Sequence, residues 1–259
     1  MEFNKLYGEK GFDFFLSIDC EGPNFDKDLD TNVKCLQKLL EFTALNNIYV
    51  ILFITPYFAD ALKRLDLVDK IKDINKVIFG LHIHPDNLPE DIKSQCPFLI
   101  DNVAYMAYYT YEEQKSIINE ALKYIENRGI TQIQGFRGGY FSINDDTLRA
   151  LKEITSITWE SHNVFRKEYE VKYKILKSCP VYAYSDVKEF RLEYFDEESF
   201  NEMIINAILN EEKILAITHS YLLNEYDDHY KRDNITKSIY SVLQIVIDKI
   251  KVYQDNNNI

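Results

Sequence analysis

IYVILFI, residues 48–54, is an unbroken run of apolar, mostly β-branched and aromatic side chains, and Thr55-Pro56 closes it. A strand without polar alternation is buried on both faces, which is the signature of a parallel sheet covered by helices. The same kind of run recurs on either side of it. Residues 12–19 (FDFFLSID), 77–84 (VIFGLHIH), 132–136 (QIQGF) and 214–218 (ILAIT) read as strands. Helical patterns lie between them, over residues 33–45, from Pro56 onward, over 111–128 with Gly129 as the stop, over 145–154 with Ser142 or Asn144 as the cap, and over 197–210 and 235–253. Two further stretches, 181–185 and 190–194, also read as strands. Strands alternating with helices imply right-handed βαβ units and a largely parallel sheet, which a barrel and a doubly wound sheet both satisfy.

The chain of 259 residues is long enough for one large α/β domain with a substantial core, and 1–259 is read as a single domain. A net charge of −12 and the lack of any basic run argue against a nucleic-acid partner, whose affinity comes from clustered Lys and Arg. No apolar segment is long enough to span a bilayer. MEFNKLYGEKGFDFF does not read as a signal peptide, and Cys20, Cys35, Cys96 and Cys179 form no close pair, so a reducing cytoplasm is the expected compartment. Residues 88–110 form the least regular connection, and Tyr105, Tyr108, Tyr109 and Tyr111 within or beside it are candidates for a sugar-stacking rim.

Four stretches carry candidate chemistry, each at the C-terminal end of an expected strand, where parallel α/β folds bind ligands. In SIDCEG, Asp19 and Glu21 are two apart and share a face, so a cation or proton between them would relieve their repulsion; solvated acids at a strand end are the alternative. In GLHIHP, the same period puts His82 and His84 on one face, fit to chelate one ion or to be satisfied structural histidines. In GFRGGYF, Arg137 leaves a buried strand for a glycine turn and can fix a carboxylate. ILAITHS ends an apolar strand in His219.

Carboxylates, H-x-H, Arg-Gly-Gly and a strand-terminal His, in that order, resemble the polysaccharide deacetylase (NodB-homology) family over about residues 12–221. The resemblance is closest to members with an Asp-x-Glu first motif. It implies a distorted (β/α) barrel of about seven parallel strands. The implied activity is that of a metal-dependent hydrolase removing an N-acyl group, acetyl above all, from a carbohydrate. It also implies a divalent metal ion, usually Zn2+, held by Glu21, His82 and His84. Asp19 would be the base, Arg137 would hold it, and His219 would be the acid. The Tyr140 amide would help bind the oxyanion, and Ile217 would line the acyl pocket. The implied partner is a small-molecule or carrier-linked amino sugar.

Four departures from the family pattern stand out. Asp19-Cys20-Glu21 replaces adjacent aspartates, which leaves base and ligand interchangeable between Asp19 and Glu21. The histidines are two apart instead of four, and Gly139 stands where Pro is usual. The further acid, usually Asp, would be Glu160 in TWESH, steadying Arg137 or His219. Amidohydrolases and metallophosphoesterases carry H-x-H on the first strand, so its late position here argues against both. An amidase acting on a purine-degradation product, and a carbohydrate-binding protein with a decayed site, remain as alternatives on the same fold.

Overall fold

The structure, a computed structural model, describes residues 13–154, 156–161, 177–178, 191–211 and 213–257. Seven parallel strands form one sheet: β1 Asp13–Cys20, β2 Tyr49–Ile54, β3 Val77–Ile83, β4 Ile133–Gly138, β5 Trp159–Glu160, β6 Lys177–Ser178 and β7 Lys213–His219. Their order is β6-β5-β4-β3-β2-β1-β7. Each strand from β1 to β6 lies beside its sequence neighbour and β7 returns to the free side of β1, which is the order of a (β/α) barrel opened between β6 and β7. Among the described residues no strand pairing joins those two. A doubly wound sheet would reverse direction about β1, and this one does not.

The two faces of the sheet are covered differently, and this makes the sheet a curled half-barrel. Phe14, Leu16, Ile18 and Cys20 of β1 pack outward in a large cluster with helix residues such as Leu36, Leu40, Phe58 and Ile118. The alternate residues Phe15, Ile51, Phe53, Ile78, Leu215 and Ile217 instead form a separate inner cluster with Trp159, built from strands alone. Gly135 makes room for it, because a Cβ there would stand 2.3 Å from the Trp159 ring.

Helices supply the outer layer. They are α1 Leu29–Leu45, α2 Pro56–Arg64, α3 Val68–Lys72, α4 Glu90–Gln95, α5 Tyr111–Glu126, α6 Asp145–Glu153, α7 Glu197–Leu209, α8 Asp228–Arg232 and α9 Ile239–Asn257. In α1 the buried Val33, Leu36, Leu39, Leu40 and Thr43 recur at helical spacing. Thr55 caps α2 by accepting from Phe58 N, with Pro56 in the first turn, while its Oγ1 also donates to Cys20 O at 2.8 Å and so ties the end of β1 to the end of β2. Of the two caps expected for α6, Asn144 takes the role, accepting from Thr147 N at 2.9 Å.

Three expectations are corrected or fall away. Residues 181–185 lie outside the described residues, as does Cys179. The strand expected at 190–194 is not one: Arg191 makes an isolated bridge to Ile217, and Leu192–Tyr194 turn as a 3-10 helix. Leu192 is fully buried, so an apolar anchor rather than strand pairing explains the local hydrophobicity. The connection at 88–110 contains α4 and a second 3-10 turn at Met106–Tyr108.

Candidate active site

Successive inner-face positions of the strands stack polar layers on the apolar floor. Beyond the apolar cluster, toward the C-terminal ends of the strands, lie Ser17 and Asp19 of β1, His82 of β3 in register with Arg137 of β4, and His219 of β7 in register with Asp19. Glu21 and His84 stand at the mouth. A cleft of about 250 Å³ opens there, lined among others by Asp19, Glu21, His82, His84, Arg137 and His219.

Arg137 is 1% exposed and organises the polar groups around it. Its Nη1 donates to Asp19 Oδ1 at 2.5 Å, its Nη2 to Ser17 Oγ at 3.0 Å and Ser161 Oγ at 2.9 Å, and its guanidinium lies 4.0 Å from the Phe53 ring centroid. Burial alone would raise the Asp19 carboxyl, but Arg137, His82 and His219 outweigh it and hold Asp19 below the usual carboxylate range.

At the mouth, Glu21 Oε1 lies 3.4 Å from His82 Nε2 and 3.3 Å from His84 Nε2, and the two Nε2 atoms are 3.2 Å apart. His82 Nδ1 donates to the Arg137 carbonyl at 2.7 Å, which leaves Nε2 directed at Glu21 and His84. A tetrahedral ion with ligand bonds near 2.0–2.1 Å requires donors about 3.4 Å apart, so this triangle fits a zinc-sized cation. Glu21 Oε2 and His84 Nδ1 are buried with no hydrogen-bond partner, a further sign that the side chains are aimed by something other than one another. Despite burial, the two imidazoles hold the Glu21 carboxyl far below its ordinary value. The Glu21 backbone N–H donates to Ser220 Oγ at 3.0 Å, fixing the chain beyond β1 against the turn after β7.

Two departures from the family pattern meet at one point. A Cβ on Gly139 would stand 2.4 Å from His84 Nδ1, so the glycine turn leaves space that the closely spaced second histidine fills. Tyr140 then takes a left-handed conformation, φ 54°, a strained choice for a non-glycine residue, and lines the cleft with its ring 5.2 Å from that of His84.

His219 sits opposite. Its Nε2 is 3.8 Å from Asp19 Oδ2 and its Nδ1 is 3.4 Å from Glu193 Oε1. Burial would lower this imidazole, but Glu193 and then Asp19 outweigh burial and raise it.

The structure therefore gathers Asp19, Glu21, His82, His84, Arg137, Tyr140 and His219 in one cleft. Two expected residues are elsewhere. Glu160 pairs in register with Phe136, which faces outward, so strand alternation turns it from the inner face occupied by Trp159. Ser161 meets Arg137, and Glu193 meets His219, in the places expected of Glu160. Ile217 is on the expected face but is fully buried in the inner cluster, beneath the cleft floor rather than among its lining residues. At the rim, Tyr105 and Tyr108 are 44% and 75% exposed, whereas Tyr109 is buried and accepts from Ile100 N. Tyr111 is bound to Glu153 through its hydroxyl.

No protein-family model matches the chain, and no curated protein does. Solved structures do. A Mycobacterium smegmatis protein assigned to the polysaccharide deacetylases aligns with a TM-score of 0.57 at 12% identity over 93% of this chain and 84% of that one. A family 4 carbohydrate esterase from Streptomyces lividans aligns at 0.50 and 10% identity, over 94% and 89%. A CE4 family pseudoenzyme from Bacillus anthracis aligns at 0.51 and 9% identity, over 95% and 62%. At such identities the likeness concerns the fold, and the third structure separates fold from turnover. The chain has the fold of the polysaccharide deacetylases of carbohydrate esterase family 4.

Proposed function

We propose that the protein is a metal-dependent hydrolase that removes an N-acyl group, acetyl above all, from an amino sugar. One arrangement carries the reading: a Glu-His-His donor triangle beside a cleft in which an arginine-held carboxylate faces a glutamate-held imidazole at 3.8 Å. Paired groups whose surroundings push one toward the charged base and the other toward the charged acid are the requirement for amide hydrolysis near neutral pH.

A divalent ion held by Glu21, His82 and His84, zinc on the character of the donors, would polarise the acyl oxygen and a water molecule. The remaining chemistry belongs to the chain. Arg137 occupies Asp19 Oδ1 and keeps the group ionised, which leaves Oδ2 to take the proton of the attacking water. His219, raised by Glu193, keeps a proton on Nε2 and passes it to the departing nitrogen. The Tyr140 peptide N–H, past the glycine turn, is the donor assigned to the developing oxyanion.

The substrate class that suits this site is a small or carrier-linked amino sugar. Free thiols at Cys20, Cys35 and Cys96 favour a reducing cytoplasm, and hence a precursor rather than a finished wall polymer. Purified protein with added Zn2+ is expected to release acetate from N-acetylhexosamines or short oligosaccharides of them, and to stop on chelation. Protein that binds no stoichiometric metal and releases no acetate would overturn the reading. A second reading, sugar binding without turnover, is favoured by the likeness to a pseudoenzyme. It would show saccharide binding with no acetate formed.

A further inference from the structure

From the last residue of β7 outward, three rings form a column. His219 and Tyr221 are stacked with centroids 4.9 Å apart and planes 26° apart, and Tyr221 and His229 with centroids 4.6 Å and planes 28° apart. The far end is pinned: His229 Nδ1 donates to Asp227 Oδ1 at 2.6 Å. The same carboxylate oxygen accepts from the His229 backbone N at 3.0 Å, as the N-cap of α8. Tyr221 forms part of the cleft wall beside His219, whereas His229 is buried behind it and is absent from that wall.

An imidazole that delivers a proton must present one nitrogen along one direction. Glu193 meets His219 at a single atom, Nδ1, so the ring can still pivot about that contact. A flat partner against its face removes the pivot, and an aromatic face also favours imidazolium over the neutral ring. Tyr221 stands on the one-turn segment Ser220–Leu222 and needs a backing of its own, which the His229 ring supplies. The charge-assisted hydrogen bond to Asp227 fixes the plane of that backing in turn. Orientation is thus handed from a helix cap, through two stacked rings, to the group facing Asp19.

We infer that Tyr221 and His229, with Asp227 behind them, are positioning residues for His219: the stack holds the imidazole in the plane from which Nε2 reaches the leaving nitrogen. This rests on the hydrolase reading of His219, so the test needs a readout that does not require turnover. A role limited to packing predicts loss of stability alone, whereas positioning predicts loss of kcat that a flat ring restores.

The zinc-loaded full chain is compared with four variants, Tyr221→Phe, Tyr221→Leu, His229→Phe and His229→Leu. The leucine variants are expected to lose kcat by about ten- to a hundredfold, with bound metal unchanged and, for His229→Leu, KM unchanged. Tyr221→Phe should stay within about threefold of the parent, since the ring rather than its hydroxyl is what His219 requires, and His229→Phe, which keeps a flat ring but loses the Asp227 bond, should fall between the parent and His229→Leu. In parallel, side-chain NMR of His219 should show one ring environment in the parent and Tyr221→Phe, and exchange broadening in the leucine variants. His229→Leu removes a buried hydrogen bond and can lower folding stability, so the half-buried Tyr221 pair serves as the independent measure. Folded leucine variants with parental kcat and a single His219 environment would overturn the inference, as would phenylalanine variants as impaired as the leucine ones. If no variant and no parent turns over any amino sugar, the hydrolase reading fails, and the NMR comparison still decides whether the stack orders His219.

Discussion

Arg137 on β4 reaches Asp19 on β1 at 2.5 Å, across two intervening strands. Only a strongly curled sheet brings those strands within reach of one side chain, so the bond is a tie across the barrel as well as a contact within the site. It also divides the work of one carboxylate: Oδ1 is held, and Oδ2 faces His219.

Asp19→Asn should therefore remove turnover while leaving the metal in place, because the donor triangle does not include it. A loss of about 100-fold or more in kcat is expected, with metal content measured by elemental analysis as the control. Metal loss in this variant, with turnover failing only for that reason, would make Asp19 the ligand and leave the base to Glu21.

Replacing His82 and His84 together by Ala should abolish stoichiometric metal binding. Because a ligand that binds only the folded state stabilises it, Zn2+ should raise the melting temperature of the parent and leave the double variant unmoved. An equal shift in both proteins would remove the ion from this triangle.

Glu193 and Glu160 offer a direct contrast. The folded-state pKa of His219 is raised above its ordinary value, so the protonated acid persists as pH rises until that raised value is passed. Glu193→Gln removes the main raising partner, and the alkaline limb of the kcat/KM profile should move to lower pH with kcat down at least about tenfold. Glu160→Gln should leave that limb where it is. If Glu160→Gln moves the limb and Glu193→Gln does not, the assignment made from the 3.4 Å contact is wrong.

Asp26 gives a stability test outside the catalytic groups. Burial raises its carboxyl to about 6, against the hydrogen bond from Asn32. An acid whose folded pKa is raised holds its proton longer when folded than when unfolded, so its stabilising effect is complete at low pH and is lost between about 4 and 6. One oxygen, Oδ2, is buried with no partner. Asp26→Asn should consequently raise the melting temperature at pH 8, by a free energy of about 1–3 kcal/mol, and have little effect at about pH 3, below the unfolded value. A lower melting temperature at pH 8 would show that the ionised group is instead stabilised in place.

Much of this was legible in the sequence, for a definite reason. Period-two alternation in SIDCEG and GLHIHP pairs Asp19 with Glu21 and His82 with His84, while the strand-end position of the motifs and the family resemblance bring Arg137 and His219 to the same place. Alternation gives a face but not a depth, and Ile217 lies on the right face one layer too low. It is also blind to backbone that is not extended. Glu193 sits in FRLEY, read as a strand, and the one-turn helix at Leu192–Tyr194 carries the carboxylate to His219. An acid in an apolar run is the only local signal, and Glu160 in TWESH carries the same signal. Choosing between them requires knowing that β5 turns Glu160 outward, which is a property of register with β4.

The donor triangle and the Asp19–Arg137 bond stand on strands at the centre of the sheet, where β1 pairs on both sides. The partner of His219 arrives differently, on a single turn that an isolated bridge at Arg191 joins to β7. The two halves of the site therefore differ in how they can be lost. Damage to the central strands unfolds the domain, but changes around residues 191–194 can silence proton delivery while leaving ion and sugar in place. On the hydrolase reading, a change confined to this short turn would convert catalysis into sugar binding without altering the fold.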